Sequence, residues 1–141
     1  MDDLLARCIT LLGADSTAAW LVGGTVRDQL LGRDSHDIDI AVASGALAIA
    51  RKLANVLGGA YFPLDVERET GRVVMPNRAV IDVAMLRGSD IQDDLAARDF
   101  TINALARSLA DPGHLIDPFD LCRSQLRSTA FDHAHCLQAF P

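Results

Sequence analysis

Apolar positions recur at helical spacing from the start of the chain. In residues 3–13, DLLARCITLLG, Leu4, Leu5, Cys8, Leu11 and Leu12 share one face, and Gly13 stops the run. This predicts a packing helix. Residues 18–22, AAWLV, read as a short strand that runs into a Gly23-Gly24 turn, and 25–32, TVRDQLLG, as a helix closed by Gly32. Residues 36–43, HDIDIAVA, alternate as a strand should. Ser44 is placed to cap a helix over 45–59, where Leu47, Ala50, Leu53, Ala54 and Leu57 make one apolar face.

Three strands are expected next, AYFPL (60–64), RVVM (72–75) and AVIDVAML (79–86), the last two joined by a Pro76-Asn77 turn. SDIQDDLAA (89–97) opens with the outline of a capping box, Ser89 with Gln92. A second helix, FTINALARSLA (100–110), is expected to follow it and to stop at Asp111-Pro112-Gly113. This order of elements predicts an α+β domain, a mixed β-sheet with helices largely on one side. Beyond Pro118 the pattern weakens, and residues 120–141 give no convincing element, reading as the start of a further segment or an irregular tail.

Composition narrows the picture without changing it. A chain of 141 residues, half of them hydrophobic, can close one core without disulfides or a structural metal. Cys8, Cys122 and Cys136 form no CxxC pair and leave an odd thiol, which fits a reducing compartment. There is no basic segment followed by an apolar run at the N-terminus, and no apolar stretch long enough to span a bilayer, so a cytoplasmic protein is expected. The net charge of −6 argues against a self-sufficient nucleic-acid binder. If RNA is a partner, something beyond these residues helps to hold it.

Three constellations carry candidate chemistry. Asp37 and Asp39 fall on one face of a strand, with Ile38 and Ile40 on the other. Two carboxylates about 7 Å apart along a strand can share a divalent ion. A polar strand edge would carry the same pair. Asp82 interrupts another apolar strand and adds a third carboxylate if the two strands are neighbours. Gly23-Gly24 stands where a strand opens into a helix, with Arg27 one turn on, an arrangement that suits a phosphate as well as an ordinary tight turn. Arg98, Asp99 and Asn103 cluster where two helices are expected to meet, and their spacing fits equally a plain helix start. His36 adjoins Asp37 but should face the other way, which makes it a poor candidate for a base.

Taken in order, LVGGTVRDQLLG with DIDI, then VIDVAMLR, then DLAARDFTINALA and LIDPF resemble the head domain of the class II tRNA nucleotidyltransferase and bacterial poly(A) polymerase family. The resemblance covers roughly residues 18–120. It implies a polymerase-beta-like fold that transfers a nucleoside monophosphate from ATP or CTP to an RNA 3′-hydroxyl, the tRNA 3′ end above all, with release of pyrophosphate. By position it implies Mg2+ on Asp37 and Asp39, a third acidic residue at Asp82, a triphosphate held by Gly23, Gly24 and Arg27, and Arg98, Asp99 and Asn103 lining the nucleotide site. In that family a base-selecting neck and an RNA-gripping body follow the head, and neither is read between Met1 and Pro141. Two further readings stand beside the enzyme. One is a stand-alone module that binds nucleotide with magnesium but does not extend RNA. The other is a purely structural domain.

Overall fold

The computed structural model describes residues 2–13, 18–33, 36–98, 104–111 and 114–118. Along the chain lie α1 (Asp2–Gly13), β1 (Ala19–Val22), α2 (Gly24–Leu30), β2 (Asp37–Val42), α3 (Ala46–Leu57), β3 (Ala60–Asp65), β4 (Thr70–Val74), β5 (Val80–Met85), α4 (Ile91–Ala96), β6 (Ala106–Ser108) and β7 (Leu115–Ile116). The strands form one seven-stranded sheet in the order β3-β4-β5-β2-β1-β6-β7. Only β2 and β5 run parallel; every other pairing is antiparallel. The mixed sheet expected from the sequence is therefore present.

Alternation along the strands decides where the core sits. Ile38 and Ile40 of β2, Ile81 and Val83 of β5 and Leu21 of β1 are buried on one face. There they pack with Leu5, Cys8 and Leu12 of α1 and with Ala46, Ala50, Leu53, Ala54 and Leu57 of α3. Burial pushes the Cys8 thiol up to about 11, so it behaves as a small hydrophobe. The other face carries a smaller cluster, in which Ile91 and Leu95 of α4 cover Val22, Ala41, Ala104 and Ala106. Helices thus lie largely on one side, and α4 alone of the described helices packs with this second cluster. The rest of that face is left open beside the carboxylates of β2.

Local details depart from expectation in four places. Ser44 does not cap α3: Gly45, with φ of 68°, takes the N-cap position, and no side-chain bond is made there. The cap of α4 moves one residue on from Ser89: the Asp90 side chain accepts from the Asp93 N–H at 2.8 Å, and Asp93 accepts from the Ser89 N–H at 3.0 Å. A carboxylate competes better than a neutral Ser and Gln pair for exposed N–H groups. The helix expected over 100–110 is replaced, in its described part, by β6, whose Ala106, Arg107 and Ser108 pair with Val22, Leu21 and Trp20. Ladder bonds to β1 and burial of Ala106 override local helix preference. The fourth departure is β7, two residues paired with β6 that the sequence pattern does not announce.

Candidate functional site

The site is assembled where β1 turns into α2 and where β2 crosses the middle of the sheet. Gly23 has φ of 64° and ψ of −131°, a conformation open to glycine and strained for other residues. Its N–H donates to the Leu105 carbonyl at 3.1 Å, which anchors the turn to the residue just before β6. Gly24 matters for space: a Cβ there would stand 3.1 Å from Nη2 of Arg27, so its absence lets the guanidinium fold back over the turn. Arg27 also donates through Nε to Asp28 at 3.1 Å.

Asp37 and Asp39 leave β2 on the open face, as alternation requires. Asp39 stands in register with Asp82 across the parallel β2–β5 ladder, and Asp82 stands in register with Arg72 across β4–β5. Arg72 takes both Asp82 oxygens, Nε to Oδ1 at 2.8 Å and Nη2 to Oδ2 at 3.0 Å. The bidentate pair holds Arg72 still more firmly in its charged form. The Asp39 carboxyl is pushed up from 3.8 to about 6, first by burial and then by the negative charge of Asp82 and Asp37, against the opposing pull of Arg98 and Arg72.

Arg98 reaches the same place from the end of α4. Its Nε and Nη2 donate to Oδ1 of Asp94 at 3.1 and 2.9 Å, and the other Asp94 oxygen accepts from the Arg87 N–H at 2.8 Å. Asp94 is buried, and these bonds satisfy it. Gly23, Gly24, Thr25, Arg27, Asp28, Asp37, Asp39 and Arg98 enclose a cleft of about 330 Å³. A smaller hollow of about 210 Å³ adjoins it over Asp39, Asp82, Arg87 and Arg98.

Of the residues singled out from sequence, Gly23, Gly24, Arg27, Asp37, Asp39 and Arg98 converge on the cleft, and Asp82 borders it next to Asp39. Asp99 and Asn103 lie outside the described residues. His36 is exposed, and its carbonyl accepts from the Val80 N–H at 2.9 Å. Three contributors were missed: Thr25, Arg72 and Asp94. The i,i+4 spacing of Asp94 and Arg98 could have signalled that pair. Arg72 could be found only by knowing that β4 and β5 are neighbours.

The donor set suits a hard divalent cation. Two carboxylates share a face, and one of them is already burdened by neighbouring negative charge. An open carboxylate pair of this sort leaves coordination positions for water and substrate oxygens. No helix among the described residues is long and apolar enough to cross a membrane.

The mixed sheet has the polymerase-beta-like nucleotidyltransferase fold of its structural neighbours. The chain belongs to the poly A polymerase head domain family, which it matches over residues 19–130. It is 49% identical over 115 residues to the CC-adding tRNA nucleotidyltransferase of Geobacter sulfurreducens, covering 78% of this chain and 26% of that protein. It is 44% identical over 119 residues to the A-adding tRNA nucleotidyltransferase of Deinococcus radiodurans, covering 82% of this chain and 26% of the relative. Among solved structures, a CCA-adding enzyme in complex with CTP superposes with a TM-score of 0.78 at 35% identity, over 88% of this chain and 32% of the other. The Thermotoga maritima CCA-adding enzyme complexed with tRNA superposes with a TM-score of 0.75 at 36% identity, over 88% and 31%. The chain thus spans about a quarter of the length of these two relatives.

Proposed function

We propose that this chain is the catalytic head of a tRNA nucleotidyltransferase, transferring a nucleoside monophosphate from CTP or ATP to the 3′-hydroxyl of a tRNA. The observation that carries the reading is the convergence of Asp37 and Asp39 with Gly23, Gly24, Arg27 and Arg98 on one cleft. Relatives named as CC-adding and A-adding enzymes support it.

In this reading the Gly23-Gly24 turn lets the triphosphate approach the backbone closely, and Arg27 and Arg98 meet its oxygens. Asp37 and Asp39 would hold Mg2+, which when bound lowers the pKa of the attacking hydroxyl and offsets charge on the departing pyrophosphate in the two-metal manner. Asp82, with both oxygens taken up by Arg72, adds a third negative charge beside Asp39 and so strengthens the site's demand for cations. Asp94 keeps the Arg98 guanidinium aimed at the cleft. No side-chain base is required of this chain.

Calorimetric titration of CTP and ATP, with and without magnesium, tests the reading. Magnesium-dependent binding by the wild type that disappears in the Asp37→Asn/Asp39→Asn double variant is expected. Equal binding by both proteins would overturn the assignment.

A further inference from the structure

The two aspartates sit on a stretch of β2 that is paired with β5 but lies past the last residue pair with β1. Pairing of β1 with β2 runs from Ala19 opposite Val42 to Leu21 opposite Ile40 and stops there, because β1 turns away into Gly23. The backbone of β2 alternates in direction. The carbonyls of His36 and Val42 accept from β5-side N–H groups, Val80 and Leu86, while the Ala43 N–H donates towards β1 at Ala18. The Asp37 carbonyl and the Asp39 N–H therefore point to the β1 side, beyond the end of β1. Left unmet, a part-buried donor and acceptor in the middle of a sheet would be costly.

One hydroxyl meets both. Thr25 Oγ1 donates to the Asp37 carbonyl at 3.0 Å and accepts from the Asp39 N–H at 2.9 Å. Thr25 is buried, 3% exposed, and uses its hydroxyl as donor and acceptor at once. It is also the residue between Gly24 and Val26, on the helix that carries Arg27. The side chain takes the place of a strand, and it does so from the element that forms the phosphate turn.

The geometry points to Thr25 as a positioning residue: its hydroxyl fixes the spacing of the Asp37 and Asp39 carboxylates and fastens them to the Gly23-Gly24-Arg27 turn, so that metal and triphosphate are held in one frame. This rests on the proposed function. Groups that orient metal ligands without touching the metal typically change metal affinity roughly ten- to hundredfold when removed.

The test measures, by calorimetry on the whole chain, the magnesium concentration that gives half-maximal CTP binding, alongside thermal unfolding. Thr25→Val keeps the volume and loses both bonds, and should raise that concentration roughly tenfold or more. Thr25→Ser keeps both bonds and should return it to within about twofold of wild type. Should the valine variant not fold, Thr25→Ala carries the test with the same expectation. A lowered melting temperature with an unchanged magnesium requirement would make Thr25 merely structural and overturn the inference. Asp39→Asn separates the two readings. If the wild type shows no magnesium-dependent binding, the proposed function fails and this inference with it. If Asp39→Asn abolishes such binding and Thr25→Val leaves it untouched, only this inference fails.

Discussion

Asp39 and Asp82 face each other across the parallel β2–β5 ladder, and only Asp82 has a bidentate arginine partner, Arg72. Burial and the negative charge of Asp82 and Asp37 disfavour the ionised form of Asp39, whose carboxyl is pushed up to about 6. A bound cation would relieve that crowding further than Arg98 and Arg72 do.

This gives a pH signature in magnesium-free buffer. Between 3.8 and about 6 the folded chain holds on Asp39 a proton that the unfolded chain has released. The stability that this group contributes is complete below about pH 4 and is lost as the pH rises through about 6. At about 1.4 kcal/mol per pH unit, the ionised carboxylate costs the fold roughly 3 kcal/mol at neutral pH. Urea unfolding of wild type and Asp39→Asn across this range should show a difference that grows with pH in favour of the variant, and saturating magnesium should shrink it. A difference independent of pH would contradict the assignment.

Arg72→Met should aggravate the same crowding. With its counter-ion gone, Asp82 exerts its full charge on Asp39, whose titration midpoint moves higher, a change visible by carboxyl carbon resonance. The arginine side chain is 41% exposed, so solvent screens the pair and the stability loss should be only about 1 kcal/mol. A fall in the Asp39 midpoint would show that Arg72 is not what balances the cluster.

Asp94→Ala should be far more costly, because it leaves the Arg98 guanidinium and the Arg87 N–H without their acceptor in a buried place. Removing one member of a buried pair typically costs roughly 3–5 kcal/mol. Chemical denaturation should report a loss of that order. CTP affinity should fall in Asp94→Asn, the milder variant, since an amide holds Arg98 less firmly. Unchanged affinity there would remove Arg98 from the nucleotide's surroundings.

Arg27→Ala should separate the triphosphate from the nucleoside. Affinity for CTP is expected to drop by roughly tenfold or more, the loss of one charge-assisted contact, while cytidine binding stays where it was. Equal losses for both ligands would count against a phosphate role.

Much of this site was legible because period-two alternation is a strong signal: Ile38 and Ile40 had to go inward, so Asp37 and Asp39 had to share the other face. Gly23-Gly24 was legible because few residues enter a helix from positive φ. Thr25 was not, since its hydroxyl gains a purpose only where β1 parts from β2, a fact of tertiary pairing. Arg72 depends likewise on β4 lying beside β5. The helix expected over residues 100–110 failed for a related reason: β6 has three residues, and its partner β1 lies far earlier in the chain. Short strands with distant partners leave no local period to read.

Among the described residues the outer strand β3 carries Phe62 and Leu64 exposed at the sheet edge, and Val66 is exposed in the turn just after it, the sort of border on which chains stack into aggregates. Pro63 stands among them without an N–H to offer, and the pairing register with β4 slips between Pro63 and Asp65. The interruption breaks up this border: a strand-forming residue at 63 would make it a more continuous template for pairing with another chain.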